Sequence, residues 1–413
     1  MGVDFLRYIT LFQSRLAATH LVLSVTDLSH QPKERLLRRI SARVADRSEV
    51  GVASTDGESL SDYLVEKKFI TKTPRKSGGR YPGLVRGHLG LVDESGAPLD
   101  VIDAYLVDVW MSDPRVRSTV GTPTVENAGE YLQLAMNLGL VSAAKNTWTS
   151  AGQLVVTARN SGSAGNPFIP GSDGPVLLRQ IIAVDGLILK PLLNLVSGRT
   201  DGFRRGEIAL EFGTVVGEAV SALGAQTTDR GALREAREFE AMIRKTAEAR
   251  ESMSAAPGVL EHRVTPRLEW LAELGYLDKD GSRNSFQYVP NSSTRRLSER
   301  LRTTGDDPVN AELVASLEWR SNPIWTDAIE GFSRVPRAEA VLDAYSRLRR
   351  RIGPSSIRDV AFLACLVSEE PLDYSDAIEL LTQVATETPG ASLSRGRYGR
   401  EAVNVFIPMN ELR

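Results

Sequence analysis

One cysteine in 413 residues, four histidines and a formal net charge of −2 exclude several classes of function at once. Cys365 has no partner for a disulfide within the chain, and a lone thiol cannot build a thiolate zinc centre. It lies in the apolar run VAFLACLV (360–367) and reads as a small buried hydrophobe, consistent with a reducing cytoplasm. A catalytic thiol would need one of His20, His30, His88 or His262. Lysine and arginine total 50 against 52 aspartates and glutamates, so the chain lacks the basic excess of a protein that coats nucleic acid. Any polyanion binding must come from local patches. Long hydrophobic runs are scarce as well. The apolar N-terminus is broken by Arg7, Gln13, Arg15 and His20, which speaks against a signal peptide or membrane span. It reads as a core helix followed by a strand.

Reaction signatures are missing too. There is no Gly-x4-Gly-Lys-Ser/Thr loop, no His-Glu-x-x-His, and no Gly-x-Ser-x-Gly in a strand-to-helix context. VEKK (65–68) approaches a nuclease acid-x-Lys pair, but it reads as the end of an amphipathic helix. Asp100, Asp103 and Asp108 interleave with apolar residues in PLDVIDAYLVDVWMSD (98–113), the pattern of a solvated helix face rather than a metal site. No metal, no cofactor, no membrane partner and no catalytic activity are expected.

What is present is helical patterning. QPKERLLRRISARVADR (31–47) carries apolar residues at helical spacing and a basic outer face. TPRKSGGRYPGLVRGH (73–88) reads as a loop. NSGSAGNPFIPGSDGP (160–175) reads as a linker, followed by a strongly apolar helical pair over 176–196. Residues 229–252 alternate charges around a narrow stripe of Leu233, Phe239, Met242 and Ile243, the signature of a long exposed helix. The organisation expected is a helical or mixed N-terminal domain over 1–120 and a first repeated copy over 121–160. A linker and helical pair over 161–228, a long helix with a second copy over 229–303, and a helical segment with a third copy over 304–413 complete it.

The repeat rests on EYLQLAMNLGLVSAAKNTWTSAGQLV (130–155) and PRLEWLAELGYLDKDGSRNSFQYVP (266–290), 136 residues apart. Leu132 matches Leu268, Leu138 matches Leu274, and Gly139 matches Gly275, where glycine suits the left-handed helix cap. Each helix is followed by a strand, a polar turn holding Lys145-Asn146 or Gly281-Ser282-Arg283-Asn284, and a strand carrying Trp148 or Phe286. TSAG after Trp148 opens another helix, and the second copy lacks that exit. These stretches resemble the winged-helix family, which reads as a helix ending in Leu-Gly, a short β-hairpin wing and a Thr-x-x-Gly exit. The resemblance covers 25–40 residues per copy and implies a mainly α fold with small β-hairpins, in tandem winged-helix-like units joined by helical segments.

A third, divergent copy runs from PSSIRDVAFLACLVSEEP (354–371) through YSDAIELLTQVATETPG (374–390) to SLSRGRYGREAVNVFIP (392–408). Its order is helix, helix, hairpin. In a wing tip, Arg395, Arg397 and Arg400 would meet phosphates with their guanidinium forks, with Tyr398 stacking or bonding beside them. Arg349, Arg350 and Arg351 precede this copy. On the second copy's helix Arg267 would project outward, and Arg283 and Lys145 sit in the two earlier turns. The resemblance therefore implies DNA as partner, in a prokaryotic replication, restriction, defence or mobile-element system. Against it stand Glu269 and Glu273 beside Arg267, and Glu126, Asn127, Glu130 and Gln133 on the first copy's helix. These favour the alternative of an interaction scaffold, docking protein partners or a second copy as kleisin-like subunits of chromosome-organising complexes do.

Overall fold

The computed structural model describes residues 5–7, 9, 13, 16–27, 29–49, 128–161, 171–252, 258–280, 287–303, 310–349, 355–395 and 402–408. The readings made at 65–68, 73–88 and 98–113, and those of Glu126, Asn127 and Phe286, lie outside them. The described chain is mostly helical. In order it forms α1 (Ala17–Val25), α2 (Lys33–Glu49), α3 (Ala128–Asn137), α4 (Ser150–Ser161), α5 (Gly174–Ser197), α6 (Arg205–Gln226), α7 (Arg230–Ser252) and α8 (Gly258–Glu273). The strands β1 (Leu277–Asp280) and β2 (Gln287–Pro290) follow, then α9 (Ser292–Thr303), α10 (Asn310–Ser321), α11 (Thr326–Glu330) and α12 (Ala340–Leu348). The chain closes with β3 (Ser355–Ser356), α13 (Ile357–Val367), α14 (Tyr374–Glu387), β4 (Ser392–Arg395) and β5 (Ala402–Phe406). Contacts divide it into two compact units. One comprises Met1–Thr147, Asn166–Pro170 and Val184–Glu299; the other comprises Trp148–Gly165, Gly171–Ala183 and Arg300–Arg413.

In the first unit α8 is the central element, packed against α6, α7 and β1, with every residue from 264 to 277 buried. The charge-rich α7 needs only Ala236, Phe239 and Ile243 in the core, as its narrow stripe dictates. α6 is long and apolar enough to cross a membrane, and it packs here against α7 and α8. α8 and α3 end alike. Leu140 N–H bonds to Ala135 C=O at 2.8 Å and Gly139 N–H to Met136 C=O at 2.9 Å. Their counterparts, Tyr276 to Leu271 and Gly275 to Ala272, measure 2.7 and 3.0 Å. Both are Schellman caps, with Gly139 at φ 68° and Gly275 at φ 77°. After Gly275 the strands β1 and β2 pair antiparallel, Leu277 opposite Pro290. Phe203 makes an isolated antiparallel bridge to Tyr288 of β2, beside the two-stranded sheet. Asn291 then caps α9, its carboxamide oxygen accepting the Ser293 and Thr294 N–H groups.

The first copy is less complete than its sequence suggests. Ser142 N–H meets Thr147 C=O at 2.8 Å, with Asn146 left-handed at φ 51°, but no strand longer than one residue flanks this turn. Two other expectations are corrected. The core helix expected at the N-terminus runs to Val25 as α1, with no strand among the described residues up to Thr26: Val22, Leu23 and Val25 are buried while α1 packs on α2 and α3. Tertiary burial overrides the β-branched preference of Val22 and Val25. The apolar pair at 176–196 is the single helix α5, with Pro191 inside it.

The second unit is built around α13. Ser356 caps it, its hydroxyl accepting the Asp359 N–H at 3.3 Å, and every helical residue except Arg358 is buried. A helix apolar on all sides must be enclosed. Around it pack α12, α14, α10, α4 and β5. The sheet order is β3-β5-β4, with β5 central and antiparallel to both neighbours. In this unit a short strand ahead of a helix pairs with the second strand of the later hairpin, whereas in the first unit a single bridged residue, Phe203, stands ahead of α6.

Candidate functional site

The C-terminal hairpin is anchored through β5 and the residue that follows it. Val405 and Ile407 are buried, and the Tyr345 hydroxyl accepts the Ile407 N–H at 2.8 Å. β4 and β5 pair from Ser392 opposite Phe406 to Arg395 opposite Ala402, with an irregularity between Ser394 and Arg395. Arg395 thus ends β4. Residues 396–401, with Arg397, Tyr398 and Arg400, lie outside the described residues, as do Arg350, Arg351 and Arg283. Val403 and Phe406 remain 46% and 37% exposed on the hairpin. The preceding helix α14 contains no lysine or arginine and exposes Glu379, Gln383 and Glu387.

Arg267 is the clearest correction. It does not project outward but is 0% exposed, its Nε 2.6 Å and its NH2 3.0 Å from the Asp185 carboxylate, with its guanidinium carbon 5.5 Å from the centroid of the Phe212 ring. Arg263, Arg267, Trp270 and Glu273 follow one another down one side of α8 at helical spacing. That side holds the chain ahead of α1. Arg263 donates to Ile9 C=O at 2.5 Å, Arg267 to Leu6 C=O at 2.5 Å, and Trp270 Nε1 to Gln13 C=O at 2.9 Å. Glu273 accepts the Leu16 N–H at 2.8 Å, and Asp185 the Leu6 N–H at 3.0 Å. Backbone groups that enter a core outside helix or sheet need such partners. Glu269 accepts from Lys279 Nζ at 2.6 Å and from the Tyr288 hydroxyl at 2.5 Å, tying α8 to both strands of its hairpin. Burial, reinforced by the Glu269 carboxylate, pushes the Tyr288 phenol well above its ordinary range. Arg263, Arg267, Glu269 and Glu273 of α8 are thus bonded to groups of their own unit.

The chain matches no protein-family model, no curated protein and no solved structure.

The remaining basic residues divide between structural duty and open surface. Arg347 is occupied by Asp343 at 2.7 Å and by the Ser161 hydroxyl at 2.8 Å, and Arg300 by the buried Glu318. Arg349 is half-buried as the C-cap of α12. Lys145 is exposed at the first copy's turn. Sequence reading missed two arginine centres because their partners are remote. Arg320, Arg334 and Arg337 donate to the carbonyls of Cys365, Ser368 and Pro371 at 3.0, 3.0 and 3.2 Å. They hold the α13–α14 turn where the helix leaves carbonyls unbonded and partially negative. Arg179 lies between Asp359 at 2.6 Å and Glu312 at 2.9 Å; burial works to lower its pKa, yet the two carboxylates hold it above the ordinary value. Among the described residues no group of three His, Cys, Asp or Glu side chains could hold a metal ion.

Proposed function

We propose that the protein binds duplex DNA through phosphate contacts from its C-terminal hairpin, as a winged-helix-like module. The observation that carries this reading is the order α12–β3–α13–α14–β4–β5 with strands arranged β3-β5-β4. That order sets an arginine-bearing hairpin beside a helix pair whose turn is clasped by three arginines. Arg395, Arg397 and Arg400 supply the grip, since guanidinium forks match phosphate oxygens. Base reading by an inserted helix is not part of the proposal: α8 is enclosed in its own unit, and α14 presents carboxylates. Binding is accordingly expected to be indifferent to sequence.

The test is a gel shift with unrelated duplexes at two salt concentrations, comparing the native protein with Arg395→Ala/Arg397→Ala/Arg400→Ala. Three lost phosphate contacts should make the log–log salt slope shallower by about 2.7, at roughly 0.9 each. Thermal stability should stay within about 0.5 kcal/mol, the usual range for substitutions away from cores, caps and strained positions. An unchanged slope and affinity would overturn the reading. A second reading, a scaffold that docks protein partners, is favoured by the acidic face of α14 and by exposed Val403 and Phe406 on the adjoining hairpin. Native protein that shifts no duplex would leave that reading standing.

A further inference from the structure

The chain's charges nearly cancel, yet the first unit concentrates cations on one face. α2 turns Leu36 and Ile40 into the core and exposes Lys33, Arg35, Arg38 and Arg39. Arg35, Arg38 and Arg39 stand at i, i+3 and i+4, the spacing that makes helix side chains neighbours. A second segment, 115 residues away in sequence, brings Lys145 to the start of the same helix. The Gln31 N–H donates to Lys145 C=O at 3.4 Å, and His30 Nδ1 lies 2.8 Å from that same oxygen. Asn146, buried and left-handed, donates through its carboxamide to Gln31 C=O at 2.8 Å. Arg39 reaches back to the Gln31 side-chain oxygen at 2.7 Å. The turn is thus fastened so that the Lys145 side chain stays at the surface beside the first turn of α2. Five cations meet two carboxylates along 26–41 and at 145, namely Asp27 and Glu34. Asp27 is partly occupied by Ser29, whose hydroxyl and backbone N–H hold its pKa below the ordinary carboxylate value.

We propose that this face, Lys33, Arg35, Arg38, Arg39 and Lys145 with His30 at its edge, is a second contact for the phosphate backbone of duplex DNA. The inference takes its ligand from the DNA-binding reading but rests on a different surface, in the other unit. Guanidinium groups on a rigid helix suit phosphate oxygens, which they bond in pairs. A lipid surface is the poorer occupant, because Leu37 is half-buried and every fully exposed residue of α2 from Lys33 to Ile40 is charged, leaving little apolar surface to enter a membrane.

The experiment uses the full chain with Arg35→Ala/Arg38→Ala/Lys145→Ala. Alanine is a good helix former, and the bonds of Lys145 to residues 30 and 31 are made by its backbone, so the fold is retained. A slope of about 0.9 per contact corresponds to roughly eightfold in affinity per contact at 0.1 M salt, hence about 500-fold for three. The salt slope should become shallower by about 2.7. The charge-preserving variant Arg35→Lys/Arg38→Lys/Lys145→Arg should recover most of the binding. Native affinity and slope in the alanine variant would overturn this proposal, while an equal result in the hairpin variant would overturn the hairpin reading alone. Native protein that binds no duplex overturns both. Loss of binding to phosphatidylserine vesicles with DNA binding intact would assign the face to a membrane and overturn the proposal as well.

Discussion

Replacing Arg267 with methionine separates an outward-facing recognition residue from a buried structural one. Methionine keeps much of the side-chain volume and remains a good helix former. It removes a guanidinium with no exposed surface that bonds Asp185 twice and the carbonyls of Leu6 and Arg263 once each, the latter at 2.7 Å. Asp185, itself 0% exposed, stays in the core without that counter-charge. Breaking a buried ion pair on one side costs about 3–5 kcal/mol. Each kcal/mol moves the melting temperature of a 150–250-residue domain by about 2–4 °C, and the first unit is slightly larger, so the low end applies and a fall of roughly 6–10 °C is expected. The assay is thermal unfolding followed by circular dichroism, with duplex binding measured well below the transition. The double variant Arg267→Met/Asp185→Leu should recover part of the loss, because replacing both charges removes the stranded carboxylate. A melting temperature unchanged in Arg267→Met, accompanied by weaker DNA binding, would refute the buried placement.

Gly139→Ala and Gly275→Ala test whether the two copies share one cap. Both glycines are left-handed, at φ 68° and 77°, so each substitution should cost a similar 1–2 kcal/mol or so in denaturant titrations; a neutral result at either position would deny the equivalence. Cys365 is fully buried, and that burial pushes its thiol up to about 12. At pH 8 about one thiol in 10⁴ is then ionised, so a disulfide reagent should modify the native protein only as fast as it opens. Rapid stoichiometric labelling without denaturant would contradict the enclosed α13.

Sequence periodicity alone determined the elements whose chemistry is local. The basic outer face of α2, the narrow stripe of α7, the apolar run of α13, and the Leu-Gly stops of α3 and α8 all lie within a few residues of the groups that explain them. Helix spacing, capping and glycine's left-handed freedom act at that range. Tertiary structure decided the rest. A charged residue on a helix has the same spacing whether it faces water or a buried counter-charge, and Arg267 finds its partners 82 and 261 residues away in Asp185 and Leu6. Glu269 and Glu273, which read as acids repelling phosphate, are buried acceptors for Lys279, Tyr288 and the backbone of Leu16. The arginines that clasp α13 and α14 show no periodicity, because their ligands are carbonyls left open by another helix's end. The helical state of residues 21–25 goes with the packing of α1 on α2 and α3. Local rules choose the element, and only the enclosing core decides which of its polar faces is left to meet a partner.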